Sequence, residues 1–218
     1  PIPDFDCPSV DSRLQKEELD QIASSYHNPN LSSDFLRVSH DSGKKVFKNY
    51  LKNNNLEFDW KKIKPVLKEV EKITHKLKKK YGRRRPKFYL TNIDDSFRDI
   101  KKMGSFSFPS GHTTTAYFIS ELLGKIFPNH KSPFKDIAML IGQSRIENGV
   151  HYPTDVWAGQ LLGETLANNI VAEDFKKPTT KIKREDEKQF SKKLRSLASE
   201  YYPHMSKKQQ IENYTEDL

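Results

Sequence analysis

Three short stretches of the chain hold residue types that could do chemistry together. Lys78 precedes Arg85-Pro86; Pro109-Ser110-Gly111-His112 follows; Ser144-Arg145 then leads to His151 and Asp155. Lys78, Arg85 and Arg145 offer one point charge and two planar forks, the donors that a tetrahedral oxyanion such as phosphate accepts. Ser110 and Gly111 stand just before an expected helix, where backbone N–H groups make an anion site and glycine lets the backbone come close. His151 has a carboxylate at Asp155, one helical turn on if the segment is helical, although Pro153 leaves the geometry at His151 open. A carboxylate on Nδ1–H fixes the tautomer and leaves Nε2 as a nucleophile. His112 has no such partner nearby in sequence and suits a group that protonates a leaving oxygen and later takes a proton from water.

The elements that must position these residues read as helices. The pattern has helical rather than strand periodicity, and no internal repeat. Residues 11–27 and 33–52 read as polar N-terminal helices. Residues 59–80 carry one stripe of Ile63, Val66, Leu67, Val70, Ile73, Thr74 and Leu77, with Gly82 as the stop. Residues 86–109 read as irregular, a length that usually means function or disorder. Further helices are expected at 112–127, 133–147 (ended by Asn148-Gly149) and 154–172, where Gly159 and Gly163 would permit close helix contact. On these helices His112, Arg145 and Asp155 fall in phase with the apolar stripe, and Lys78 at its edge. Inward polar groups on several helices, costly unless paired, point to one shared polar site in a bundle.

The full pattern, Lys78-x6-Arg85-Pro86, Pro109-Ser110-Gly111-His112 and Ser144-Arg145-x5-His151-x3-Asp155, resembles the three-part signature of the type 2 phosphatidic acid phosphatase superfamily. That superfamily includes bacterial class A acid phosphatases, lipid phosphate phosphatases, glucose-6-phosphatase and the vanadium haloperoxidases. All eleven signature positions match, across residues 78–155. The resemblance implies an all-α, single-domain bundle, closest in kind to the soluble bacterial acid phosphatases. It gives Lys78, Arg85, Ser110, Gly111 and Arg145 to the phosphoryl oxygens, His151 to nucleophilic attack oriented by Asp155, and His112 to general acid and base work. One departure is that soluble bacterial members often carry Gly-Ser-Tyr before Pro-Ser-Gly-His, where this chain has Gly104-Ser105-Phe106-Ser107-Phe108. Residues 1–77 and 175–218 carry no usable resemblance.

Composition narrows the classes. The chain has 218 residues, enough for one ordinary domain, with a single cysteine, Cys7, and so no intrachain disulfide or Cys-rich metal cluster. No apolar run approaches the roughly 20 residues that span a bilayer, and no signal peptide is found. The start at Pro1 rather than Met reads as processed or trimmed, which leaves a lost export signal open. The net charge of +9 fits nucleic acid, anionic membrane or phosphorylated substrates. The dense run from Lys76 to Lys87, read alone, resembles a nucleic-acid patch, but no nucleic-acid fold signature accompanies it. Lys79, Lys80, Arg83 and Arg84 are therefore expected to form a solvated basic rim. Phe106 and Phe108 are equally readable as pocket wall or core anchors, and His27, His40, His75, His130 and His204 as surface residues with no metal-ligand spacing.

The resulting expectation is a phosphatase domain over residues 1–175, with 176–218 a charged helical extension or tail. It would be a soluble enzyme that hydrolyses small phosphomonoesters through a phosphohistidine, with no metal or organic cofactor and inhibition by vanadate. Analogy with exported acid phosphatases places it in the periplasm or outside the cell. No specific nucleic-acid partner is expected; peripheral contact with anionic membrane and a homo-oligomer stay open. The alternatives are a lipid phosphate phosphatase at a membrane surface and a vanadium haloperoxidase.

Overall fold

The computed structural model describes residues 2–25, 33–90 and 104–175, with only the backbone described over 33–42. The reading of 176–218 as a charged helical extension or tail and the surface positions for His27, His40 and His204 fall outside the described side chains. All regular elements among the described residues are helical, as expected. The α-helices are α1 (Arg13–Ser25), α2 (Ser33–Asn53), α3 (Trp60–Tyr81), α4 (Gly111–Ile126), α5 (Lys131–Glu147) and α6 (Pro153–Asn168), with short 3₁₀ turns at Pro86–Phe88, Pro128–His130 and Ala172–Phe175.

The helix ends have local causes. Asp59 caps α3 by accepting the N–H groups of Lys61 and Lys62, and Gly82 ends it in the left-handed conformation at φ 61°. Gly149 takes φ 61° just after α5 and donates its N–H to the Ile146 carbonyl. That turn reverses the chain tightly enough for α6 to start at Pro153, where a missing N–H costs nothing. The stripe read for α3 is the observed one: Ile63, Leu67, Val70, Thr74 and Leu77 are buried.

Helix α4 is the centre of the bundle and packs on α2, α3, α5 and α6. It is buried nearly all round, including Thr113, Thr114, Ala116, Phe118, Ile119, Leu122 and Leu123. Its approach to α6 is set by glycine. A Cβ at Gly159 would stand 2.7 Å from the Ser110 carbonyl oxygen. One at Gly163 would overlap the Thr114 carbonyl oxygen and stand 2.9 Å from the Phe118 nitrogen. The two glycines let the backbones touch, which brings the start of α4 against the start of α6. The main core lies on the other side of α4, where Phe47, Phe58, Ile63, Phe118, Phe134 and Ile141 meet. A second cluster joins the N-terminal segment to α3 and α6 through Phe5, Leu77, Phe108, Ala158 and Leu162.

Candidate active site

The C-terminal end of α3, the N-terminal end of α4 and the loop from α5 into α6 surround a cavity of about 560 Å³. Lys78, Arg85, Gly111, His112 and His151 line it, together with Lys44, Glu71, Thr74, His75, Ser105 and others. Ser110, Arg145 and Asp155 are not on its wall. Each is completely buried in the layer behind.

The two imidazoles face the same cavity from different elements. His112 is the second residue of α4 and half-buried. His151 precedes α6 and is 2% exposed, so it and Asp155 do not meet by stacking one helical turn apart. Asp155 instead reaches back from the first turn of α6. Its Oδ2 accepts the N–H of Tyr152 at 3.0 Å and Nδ1 of His151 at 3.1 Å. The other face of the ring is fixed as well, since Arg85 Nη1 donates to His151 Nε2 at 3.2 Å. With Nε2 accepting, Nδ1 carries the proton, and the tautomer follows from the network. Burial, and then the nearby charges of Arg85, Lys78, His112 and Arg145, hold the His151 pKa well below its ordinary value, so the ring is neutral. Burial raises the Asp155 carboxyl, opposed by the charge of Arg83 and the Tyr152 N–H.

The cations are anchored by carbonyls. Lys78 Nζ donates to the carbonyl oxygens of Phe106 and Ser107 at 2.7 and 3.0 Å. Arg85 donates to the carbonyls of Ser105 and Val150 at 3.0 and 2.8 Å. Burial, with Arg85 beside it, pulls the Lys78 pKa down to about 7, and burial alone pulls Arg145 down to about 10. Neutral carbonyls satisfy the N–H groups without neutralising the charge, so the wall keeps a positive potential.

Two expected phosphate contacts sit differently from their reading in sequence. The Ser110 N–H donates to the Asp155 carbonyl at 2.9 Å, and its hydroxyl accepts from Thr113 at 2.8 Å. Ser110 therefore ties α4 to α6 and leaves the exposed helix end to Gly111 and His112. Arg145 is 0% exposed and donates to the Ser144 hydroxyl, while its carbonyl accepts the N–H groups of Val150 and His151. It supports the His151 loop from beneath.

Arg83 corrects the reading of the basic rim. Lys79, Lys80 and Arg84 are exposed, but Arg83 is 4% exposed. Its guanidinium bonds Glu18 Oε2 at 2.6 Å and Asp155 Oδ1 at 2.9 Å, and lies 3.7 Å from the Tyr152 ring centre. Removing one partner of such a buried pair costs about 3–5 kcal/mol. Of the other residues left open, Phe108 is a fully buried core anchor and Phe106 is substantially exposed. His75 is exposed at the cavity, and His130 bonds the Tyr50 hydroxyl at 2.9 Å.

The family description for the PAP2 superfamily matches residues 70–177, the stretch that holds His112, His151 and every lining Lys and Arg except Lys44. Residues 70–177 belong to the PAP2 superfamily. Among curated relatives, a lipid A 1-phosphatase of Rhizobium etli is 35% identical over 92 residues, 42% of this chain and 40% of that protein. An acid phosphatase of Zymomonas mobilis is 34% identical over 91 residues, 41% of this chain and 33% of that protein. A phosphatidylglycerophosphatase B of Bacillus subtilis is 33% identical over 92 residues, 37% of this chain and 45% of that protein. The matched stretch thus spans less than half the length of each of these relatives. Among the described residues no helix is long and apolar enough to cross a membrane, and no group of three or more His, Cys, Asp or Glu residues could hold a metal ion.

Proposed function

We propose that the cavity hydrolyses phosphomonoesters by two successive in-line phosphoryl transfers. The observation that carries this is the placement of His151: it lines the cavity with Lys78, Arg85 and His112, with Nδ1 3.1 Å from the Asp155 carboxylate and Nε2 3.2 Å from Arg85.

In the first transfer Lys78 and Arg85 hold the non-bridging oxygens, with the buried charge of Arg145 behind them. Arg85 exchanges its bond to Nε2 for the incoming oxyanion, which frees the lone pair. Nε2 attacks phosphorus, the ester P–O bond breaks, and His112 gives its proton to the departing alcohol. Asp155 balances the charge that develops on His151. In the second transfer His112 takes a proton from water, the water oxygen attacks phosphorus, and the N–P bond breaks to release inorganic phosphate. Each proton and electron pair is accounted for by the two histidines, water and the ester, without a metal.

Within this reading the first substrate class is small phosphomonoesters, in keeping with the acid phosphatase relative, and the site of action is the periplasm or beyond. The lipid A 1-phosphatase and phosphatidylglycerophosphatase B relatives support a second reading, a phosphate on a lipid headgroup presented at a surface. Turnover of p-nitrophenyl phosphate and of phosphatidic acid in mixed micelles, each with and without chelator, tests both. The proposal expects chelator-resistant release of phosphate from at least one; no release from either, at any pH from 4 to 9, overturns it.

A further inference from the structure

The hydrogen-bond chain does not stop at Asp155. Asp155 Oδ1 accepts from Arg83 Nη1 at 2.9 Å, and Arg83 Nη2 donates to Glu18 Oε2 at 2.6 Å. Glu18 Oε1 accepts both the backbone N–H and the hydroxyl of Thr154, each at 2.7 Å, and the Thr154 hydroxyl also accepts from Arg83 Nη1 at 2.7 Å. The loop is closed: Arg83, Glu18 and Thr154 each bond the other two. All three charged members are almost fully buried, Glu18 at 3%, Arg83 at 4% and Asp155 at 0% exposure.

The loop grips two of the three residues between the imidazole and its carboxylate, Tyr152 and Thr154. His151 is bonded by Asp155, Tyr152 lies under the Arg83 guanidinium, and Thr154, in the first turn of α6, is capped by Glu18. The charges alternate outward from the ring: carboxylate, guanidinium, carboxylate. A buried carboxylate with no counter-charge would take a proton and lose its hold on Nδ1–H. A buried guanidinium shared between two carboxylates cannot turn toward the cavity and compete for a phosphate. Glu18 also comes from α1, outside the stretch 70–177 that the family description covers.

We propose that Arg83 and Glu18 are positioning residues for His151, acting through Asp155, and that α1 is thereby a working part of the site. This rests on the phosphatase reading above. Neither residue lines the cavity, so both act on His151 through Asp155 and the turn at Tyr152 and Thr154 that they hold. The groups that face Asp155 are Arg83 and Arg85 from the segment after α3, Lys78 from α3, His151 and Tyr152 from its own loop, and Cys7 at longer range from the N-terminal segment.

The test uses the full chain with Arg83→Met, Arg83→Lys and Glu18→Gln, each read by kcat, KM, the pH profile of kcat and the ¹⁵N-resolved ring signals of His151. The expected result is a kcat lower by about 10- to 100-fold in Arg83→Met, on the scale of losing an outer-shell partner of a metal-bound histidine, with KM changed less than about threefold. The acid limb of the profile should move to higher pH, because Asp155 has lost its nearest cation. Arg83→Lys should recover part of kcat, and Glu18→Gln should fall between. The ring signals should show loss of the single Nδ1–H tautomer. The inference is overturned if folded Arg83→Met and Glu18→Gln retain wild-type kcat, pH profile and tautomer, or if kcat falls only in proportion to the fraction unfolded. The tautomer signal does not depend on turnover: a wild-type protein without phosphatase activity would remove the proposed function while the relay remained testable.

Discussion

Lys78 provides the sharpest pH prediction, because its own environment works against its charge. Burial, and then Arg85, lower its pKa to about 7 from an ordinary 10.5, while its Nζ is held by two carbonyls. Below pH 7 the cavity therefore holds the full charge of Lys78, and above it progressively loses that charge. Sulfate is the right probe, since it stays dianionic throughout, whereas phosphate esters lose their second proton near pH 6. A site that must take up a proton to bind sulfate should lose affinity about tenfold for each pH unit above 7, or about 1.4 kcal/mol. Titration calorimetry at pH 6, 7, 8 and 9 would show a plateau below 7 and that slope above it, with a proton taken up on binding. Lys78→Arg, charged throughout, should bind across the range with the slope removed. A flat wild-type profile between pH 7 and 9, or a slope that persists in Lys78→Arg, refutes the reasoning. The same group sets a stability trend without ligand. Between pH 7 and 10.5 the unfolded chain binds the proton that the folded chain has released, so Lys78 adds stability as pH rises through that window and loses it as pH falls.

Other perturbations have equally direct outcomes. Gly163→Ala should drive α4 and α6 apart, because its Cβ meets backbone atoms of α4 that cannot rotate away. Overpacking of about 1–3 kcal/mol would lower Tm by roughly 3–10 °C, with Gly104→Ala, which meets no atom within 4 Å, as the unmoved control in the same melt. Asp155→Asn keeps the shape but removes the charge that fixes Nδ1–H; steady-state kinetics should show kcat down by about 10³- to 10⁴-fold, on the scale of the equivalent change in a serine-protease triad. Vanadate, which can take five-coordinate geometry on Nε2, should inhibit competitively against substrate, and His151→Ala should abolish its binding in a fluorescence or calorimetric titration.

How much of this was legible in sequence depended on whether a residue sat on a periodic element. The stripe from Ile63 to Leu77 is apolar enough to fix the phase of α3, and Gly82 and Asn148-Gly149 mark two helix ends by their backbone freedom. The inward phase of Arg145 followed from Ile141 in the same way. What phase cannot give is depth: it placed Arg145 and Asp155 inward without separating the cavity wall from the layer behind it. Arg83 was misplaced because it follows the helix-ending Gly82, where helical phase no longer applies, and because it sits in a run of similar cations that reads as solvated surface. Glu18 gave less to go on. It shares the buried face of α1 with Gln15 and Ile22, and one apolar residue in three is no stripe. The signal that was available was the mismatch of charge itself: a loop rich in arginine beside a polar helix that had to bury one face somewhere.

The central claim is that His151 carries the phosphoryl group. Rapid acid-free quenching of the enzyme with ³²P-labelled substrate, followed by peptide mapping, tests it most directly. The account requires an acid-labile label on the peptide containing His151, absent from His151→Ala and accumulating when His112 is replaced by Asn and given a substrate with a good leaving group. Steady turnover with no label on that peptide, or with the label on another residue, would contradict it.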